Sequence, residues 1–304
     1  GQLQARAARR DGVMRRRLYA LAGPLALALA LPAQALAADE PKTDPTKEFL
    51  LDPWIKIPKI GPIDLSITKG VFYLFLSTIV LVVGTLLVVR HLRLHPKRLQ
   101  AFVEIVYDFS ETQIGRASLP AKTYTTWFPY LATLFLFIWI NNLISYLPLP
   151  VDTEHKIWGT IPTPSFYAAT SNISVTLALT LVTFFASHYV GIQQNGARAY
   201  FKSWFPPVSG AINILIVPLE ILSQFLRLVS LSVRLFANML AGHLLVLMCV
   251  SLIIIIGSAF VAAASIPVAV FFYCFELVLV ANLQAFIFAL LSGIYIGTAA
   301  EPHH

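Results

Sequence analysis

Charge is what this sequence has least of. Of its 304 residues only 12% are Asp, Glu, Lys or Arg, while 57% are hydrophobic. Soluble domains carry about 25% charged residues, so an ordinary water-soluble fold is excluded. Cysteine is scarce too: Cys249 and Cys274 are the only two. Both lie in apolar runs and read as small hydrophobes, giving neither a disulfide framework nor a metal-ligand pattern. No Walker-type glycine loop is present, so the chain is no ATPase by itself, and no resident cofactor or metal is expected. The apolar runs are continuous and about 20 residues long, not short and alternating, which argues against a β-barrel. What remains is an all-α polytopic membrane protein.

The net charge of +7 does not point to nucleic acid, because the positive residues follow membrane topology. They cluster in the first 17 residues and just after apolar spans. Residues 1–37 read as a targeting segment. Met14, a candidate start, opens the basic run Arg15, Arg16, Arg17, and an apolar stretch follows from Leu18 to Leu31. Small residues at Ala33, Ala35 and Ala37 then offer cleavage sites, the pattern of a secretory signal. The arginine-rich start keeps a mitochondrial presequence open. Residues 38–70 form a polar, proline-punctuated linker, exported if the signal reading holds. The membrane domain is expected over 71–300. Its predicted spans are 71–89, 128–147, 171–192, 210–256 and 266–296, with an amphipathic surface helix over 97–119. Arg90, Arg93, Lys97 and Arg98 follow the first span, and Arg198 and Lys202 follow the third. Positive residues mark the cytoplasmic side, so the N-terminus is expected outside and the C-terminus inside a bacterial inner membrane. A mitochondrial inner membrane is the alternative.

From Pro206 to Ala300 the charged residues are Glu220, Arg227, Arg234 and Glu276. An arginine near the centre of a membrane helix costs about 2.5–3.5 kcal/mol on insertion scales, and no carboxylate lies within four residues of Arg234. On a helical wheel of about 100° per residue, Arg227 and Glu220 fall within roughly 40° of Arg234, and Ser230 and Asn238 lie about 40° to either side. Ala237 and Ala241 flank the same stripe, where small side chains let another helix approach closely. His243 points about 180° away, towards a following helix that carries Glu276 and Gln284. Taken singly, Asn238, Ser230 and Asn282 fit simple interhelical hydrogen bonding. A histidine and a glutamate on successive helices fit a proton relay, since both titrate near neutral pH in apolar surroundings.

The run Ser230 to Gly242 (SLSVRLFANMLAG), followed by Leu283 to Phe288 (LQAFIF) and Tyr295, resembles subunit a of the F-type ATP synthase. The resemblance extends from about Leu50 to the C-terminus and includes Pro148, Asn172 and Glu220. It implies a membrane stator subunit with two long tilted helices against a ring of c subunits, held by b-type peripheral stalk subunits and surrounded by the lipid bilayer. It implies no catalytic site of its own, but an essential stator arginine at Arg234 facing the ring's carboxylate. His243, Glu276, Gln284 and Asn238 then become candidates for an external half-channel. Glu220, with Ser223 and Gln224, falls towards the cytoplasmic exit, and Arg227, Ser230 and Tyr295 are secondary candidates.

Two departures from the family pattern stand out. Many members carry an acid where this chain has His243 and a histidine near Glu276, so the titratable pair is exchanged. Glu276 also precedes Gln284 by eight residues, against about seven expected. On an ideal helix that turns the carboxylate by roughly 100°, so the pair meets only if the helix is locally distorted. A stand-alone channel or secondary transporter is the competing reading. Inverted repeats or matching broken helices would favour it, and neither is found.

Overall fold

The computed structural model describes residues 53–55, 67–92, 98–147, 149–157, 161–165, 167–203 and 211–301. The targeting segment expected over 1–37 lies outside these residues, as does most of the linker. From that linker two short strands, β1 (Pro53–Ile55) and β2 (Ile67–Thr68), pair antiparallel and lead into helix α1 (Lys69–Arg90). Next comes α2 (Arg98–Phe109), which runs through a π-helical turn at Ser110–Gly115 into a last turn at Arg116–Ser118. Then follow α3 (Ala121–Ile144), α4 (Ile173–Asn195), the short α5 (Ala197–Ser203) and α6 (Ala211–Ile256). The last two helices, α7 (Ala259–Phe275) and α8 (Ala281–Ala300), are joined by a second π-helical turn, Glu276–Val280. Between α3 and α4 a small hairpin forms, β3 (Leu149–Ile157) against β4 (Ile161–Ser165). The protein is thus all-α and polytopic. Five helical segments among the described residues are long and apolar enough to cross a membrane.

Composition sets the ends of these helices. Helix α3 starts at Ala121, seven residues before the first residue of the span expected from hydropathy. The Pro120 carbonyl accepts from the amides of Thr123 and Tyr124, so a polar first turn precedes the apolar run. Asn172, part of a match to a glycosylation sequon, caps α4 by accepting from the Ser174 amide at 2.9 Å, as helix-capping asparagines do. Helix α6, at 46 residues, is about 70 Å long, against a hydrocarbon core of about 30 Å. It is therefore far longer than an upright crossing needs. Gly257, at φ 62°, reverses the chain within two residues and returns it as α7, a conformation open to glycine at little cost.

The core forms where α8 packs against α3, α4 and α6. Ala281, Ala285, Ala289, Gly293 and Gly297 recur every fourth residue along one face of α8, and all are buried. Such a row lets helix backbones approach closely in lipid, where dispersion replaces the hydrophobic effect as the packing force. From α6 the buried row Leu231, Leu235, Met239 enters the same core, with Leu131, Phe135 and Ile138 from α3. By contrast α1 is buried mainly at its start, where Tyr73 packs with Ile144, Tyr167 and Ala169. Further along, Phe75, Ile79 and Leu87 face outward, as a lipid-facing helix requires.

The second π turn decides where Glu276 points. A π turn spaces hydrogen bonds at i to i+5 and so absorbs one extra residue. Polar side chains support it. Asn282 Nδ2 donates back to the carbonyls of Leu277 (3.1 Å) and Val278 (2.6 Å), and Trp139 Nε1 donates to Asn282 Oδ1. Asn142, fully buried, donates to the Ala281 carbonyl at 3.2 Å and accepts from Thr170 at 2.9 Å. Asn282→Leu removes the donor to Leu277 and Val278. We expect it to destabilise the subunit by about 0.5–1.5 kcal/mol, the usual net worth of a protein hydrogen bond. Thermal denaturation of the purified protein in detergent measures this; an unchanged Tm would show that the turn needs no side-chain support.

Candidate functional site

Helix α6 separates its polar residues onto two faces. The row Leu231, Leu235, Met239 and His243 is buried, while Val233, Ala237, Asn238 and Ala241 are exposed. Arg234 stands at the border, half-buried, and its guanidinium donates to Ser230 Oγ at 3.3 Å. Among the described residues no carboxylate lies within ion-pair distance of it. The small side chains beside it leave an open strip along the helix.

Nine residues further on, about 14 Å along the axis, His243 and Glu276 line a common cavity of about 20 Å³. Each is only 4% exposed. Glu276 comes from the π turn on the neighbouring helix and lies so close to Gly242 that a Cβ there would overlap its carboxylate. Tyr146, just past α3, donates its hydroxyl to Glu276 Oε2 at 3.2 Å, and its ring lies 4.9 Å from the His243 ring. Tyr273 in turn donates to the Tyr146 carbonyl at 2.7 Å. His243 Nδ1 lies 3.1 Å from the Met239 carbonyl, the geometry of a bond to a protonated Nδ1. Its Nε2 is buried with no hydrogen-bond partner among the described residues. A volume of 20 Å³ suffices for one water, which could join that nitrogen to the carboxylate.

The eight-residue spacing of Glu276 and Gln284 finds its physical reason here. The π turn takes up the extra residue, so the carboxylate faces His243 instead of pointing roughly 100° away. Gln284 is buried at 7% exposure, while Asn238 is exposed; neither of them lines this cavity.

Towards the start of α6 lies a second cavity, of about 350 Å³. Glu220, Gln224 and Arg227 line it, with Tyr295 from α8. Gln224 donates to Glu220 Oε1 at 3.1 Å, and the Arg227 guanidinium sits 5.6 Å from the centre of the Tyr295 ring. Ser223 is half-buried nearby in sequence. The opposite wall comes from α4 and α5, through Thr180, Thr183, Ser187, His188 and Tyr200. Gln284 and Asn238 have no part in this cavity either. Sequence reasoning missed the α4 wall, although the spacing of Thr176, Thr180, Thr183 and Ser187 marks one helix face. It also missed Tyr146 and Tyr273 as partners of the buried pair, because they lie far from it in sequence or carry no local signal of that contact.

Fold and site together define a multi-pass helical membrane protein that holds ionisable groups inside its two longest membrane segments, Ile216–Ile256 and Ala259–Ala300, beside two separate cavities. Residues 71–297 match the family model of the ATP synthase A chain. The chain is 35% identical over 266 residues to ATP synthase subunit a of Rubrobacter xylanophilus, covering 85% of this chain and 95% of that one. The corresponding protein of Bradyrhizobium diazoefficiens is 35% identical over 271 residues, 86% of this chain and 100% of its own. That of Anaeromyxobacter dehalogenans is 34% identical over 249 residues, 81% of this chain but 61% of its own length. The chain belongs to the ATP synthase A chain family, integral membrane subunits of the ATP synthase that carry no catalytic site of their own.

The close approach at Gly242 yields a direct test. Gly242→Ala places a methyl group where the Glu276 carboxylate now lies, and the carboxylate must move away from Tyr146 and His243. Losing one hydrogen bond to a charged group, about 1.5–3 kcal/mol, corresponds to about a 10- to 150-fold drop in rate. ATP-driven proton pumping by reconstituted complexes should fall by that much, with assembly intact; wild-type pumping would mean the carboxylate's position is immaterial.

Proposed function

We propose that this chain is the proton-translocating stator subunit of its ATP synthase. It offers a ring of c subunits two offset half-channels and so couples proton flow to rotation and ATP synthesis. Arg234 carries the reading: it is a cation on an open, small-residue strip, with no carboxylate in reach among the described residues. Its counter-charge is then supplied by a carboxylate on the moving partner. Such a carboxylate gives up its proton as it meets the guanidinium and regains one on leaving. Arginine suits the task because it stays charged in any plausible surroundings.

The two cavities support the offset. His243 and Glu276 lie about 14 Å along α6 on one side of Arg234, and Glu220 lies about 21 Å along it on the other. The small cavity then serves as the external half-channel, in which a water between His243 and Glu276 would pass protons to the strip. The larger one serves the cytoplasmic exit through Glu220, Gln224 and Arg227. Positive residues at the end of α1 and in α5, namely Arg90, Arg198 and Lys202, favour this orientation, with the N-terminus exported and the C-terminus inside a bacterial inner membrane. Asn238 and Ser230 belong to the strip that meets the ring, and Gln284 supports the packing behind it. The b-type stalk subunits hold the protein against rotation. Each elementary charge crossing 100 mV contributes about 2.3 kcal/mol, so several protons drive each ATP formed.

Arg234→Ala should abolish ATP-driven proton pumping in reconstituted complexes. Without the cation the ring carboxylate stays protonated as it passes, and a passive leak between the half-channels opens. Pumping at wild-type rate would sink the mechanism. Arg234→Lys should retain little activity, because a lysine in apolar surroundings readily loses its proton.

A further inference from the structure

The larger cavity holds two opposite charges that do not meet. Glu220 and Arg227 both line it, and each is half-buried. Seven residues apart on α6, they leave the helix within about 20° of each other and about 10 Å apart along its axis. No ion pair joins them among the described residues. Each is held by a different neighbour instead. Gln224 donates to Glu220 Oε1 at 3.1 Å, and the Arg227 guanidinium stands over the Tyr295 ring, 5.6 Å from its centre. An aromatic face positions a cation but, unlike a carboxylate, brings no charge to cancel it. Whatever enters the cavity therefore still feels the guanidinium.

At about 350 Å³, the cavity has room for several waters, and so for a partly hydrated metal cation as well as for protons. Glu220 by itself would draw such cations in. A carboxylate with the Gln224 amide beside it offers the oxygen donors that hard cations take. A fixed positive charge opposes this, as arginines do in other selective pores. At about 10 Å, in surroundings between water and dry protein, one unit charge weakens the hold on a monovalent cation by about tenfold. The same repulsion does not stop protons. A proton joins a carboxylate oxygen covalently or hops from water to water, whereas a sodium ion is held by charge alone.

We propose that Arg227 is a specificity-determining residue of the larger cavity. Its guanidinium, fixed on Tyr295 and not neutralised by Glu220, keeps sodium and potassium from collecting at that carboxylate, so that protons pass without competition. This rests on the cavity being the cytoplasmic half-channel. It gives that half-channel a selectivity of its own, separate from any that the ring carries.

The experiment measures ATP-driven proton pumping by reconstituted complexes, with sodium chloride or choline chloride at equal ionic strength on the side of the larger cavity. Wild-type pumping should be the same in both. Arg227→Gln should still pump in choline but slow in sodium, half-inhibited about tenfold below any sodium concentration that acts on the wild type. Arg227→Lys keeps the charge and should keep the wild-type response. Arg227→Met, whose stem can still reach Tyr295, repeats the test if Arg227→Gln does not assemble. A wild type already slowed by sodium, an Arg227→Gln complex indifferent to it, or an Arg227→Lys complex that matches Arg227→Gln overturns the proposal. So does loss of pumping in both salts, since protons must still pass without the charge. A separate arm tests the half-channel reading, with Cys249 and Cys274 replaced by serine and Thr298→Cys added. Thr298 is an exposed residue of the cavity wall, and a hydrophilic thiol reagent is applied there. Slowed pumping after labelling upholds the cavity as a conduit, so a failed sodium test then counts against Arg227 alone. Full labelling without slowing overturns the half-channel reading and the Arg227 proposal with it.

Discussion

A guanidinium half-buried in an apolar helix, with no carboxylate of its own chain beside it among the described residues, is the constraint to which the rest of the molecule answers. Moving an ion from water into hydrocarbon is costly unless something neutralises or hydrates it. Among the described residues Arg234 has one hydrogen bond, to Ser230, and beside it Ala237 and Ala241 leave room for a second surface. The inner face of α6 is the reverse, a buried row of Leu231, Leu235 and Met239 on a helix that packs against α4 and α8. One face is closed by packing within the chain; in the proposed mechanism the other is left to meet the moving ring.

Around that helix the polar groups fall into two cavities of different character. The smaller one is tight: His243, Glu276 and Tyr146 line it beside Gly242, with space for a single water. The larger one is roomy and ringed by hydroxyls, suited to standing water. In the proposed mechanism a selective, sparsely hydrated entry is paired with a wet exit. That asymmetry matches the electrostatics, because a proton arriving at a buried pair must be handed over singly, while one leaving needs only to be diluted.

Much of this was legible in the sequence, for reasons that can be named. Continuous apolar runs marked the membrane helices, and Gly257 marked the reversal between the last two. The wheel around Arg234 separated it from His243 correctly, because α6 is regular through that region. The spacing of Glu276 and Gln284 was legible only as an anomaly: one residue too many, with nothing in LVLV to say how a helix would absorb it. The support for the π turn comes from Trp139, Asn142 and Asn282, and the first two lie on another helix, beyond the reach of local pattern. The β3–β4 hairpin was hidden because its prolines and charges read as loop. The wall at Thr180, Thr183, Ser187 and His188 was hidden because hydroxyls bonded to their own backbone read as ordinary membrane-helix residues.

The π turn at Glu276–Val280 also means that the last membrane-crossing segment is written in two helical frames. Counting along it from either end gives consistent faces only as far as the turn, and a ruler laid across the turn is out by one step. Chimeric subunits assembled from this chain and a relative with seven residues between the corresponding positions would therefore keep or lose the buried pair according to where the splice falls. A junction beyond Ala281 carries the turn along with its carboxylate, whereas one inside it leaves two correctly folded half-helices rotated against each other.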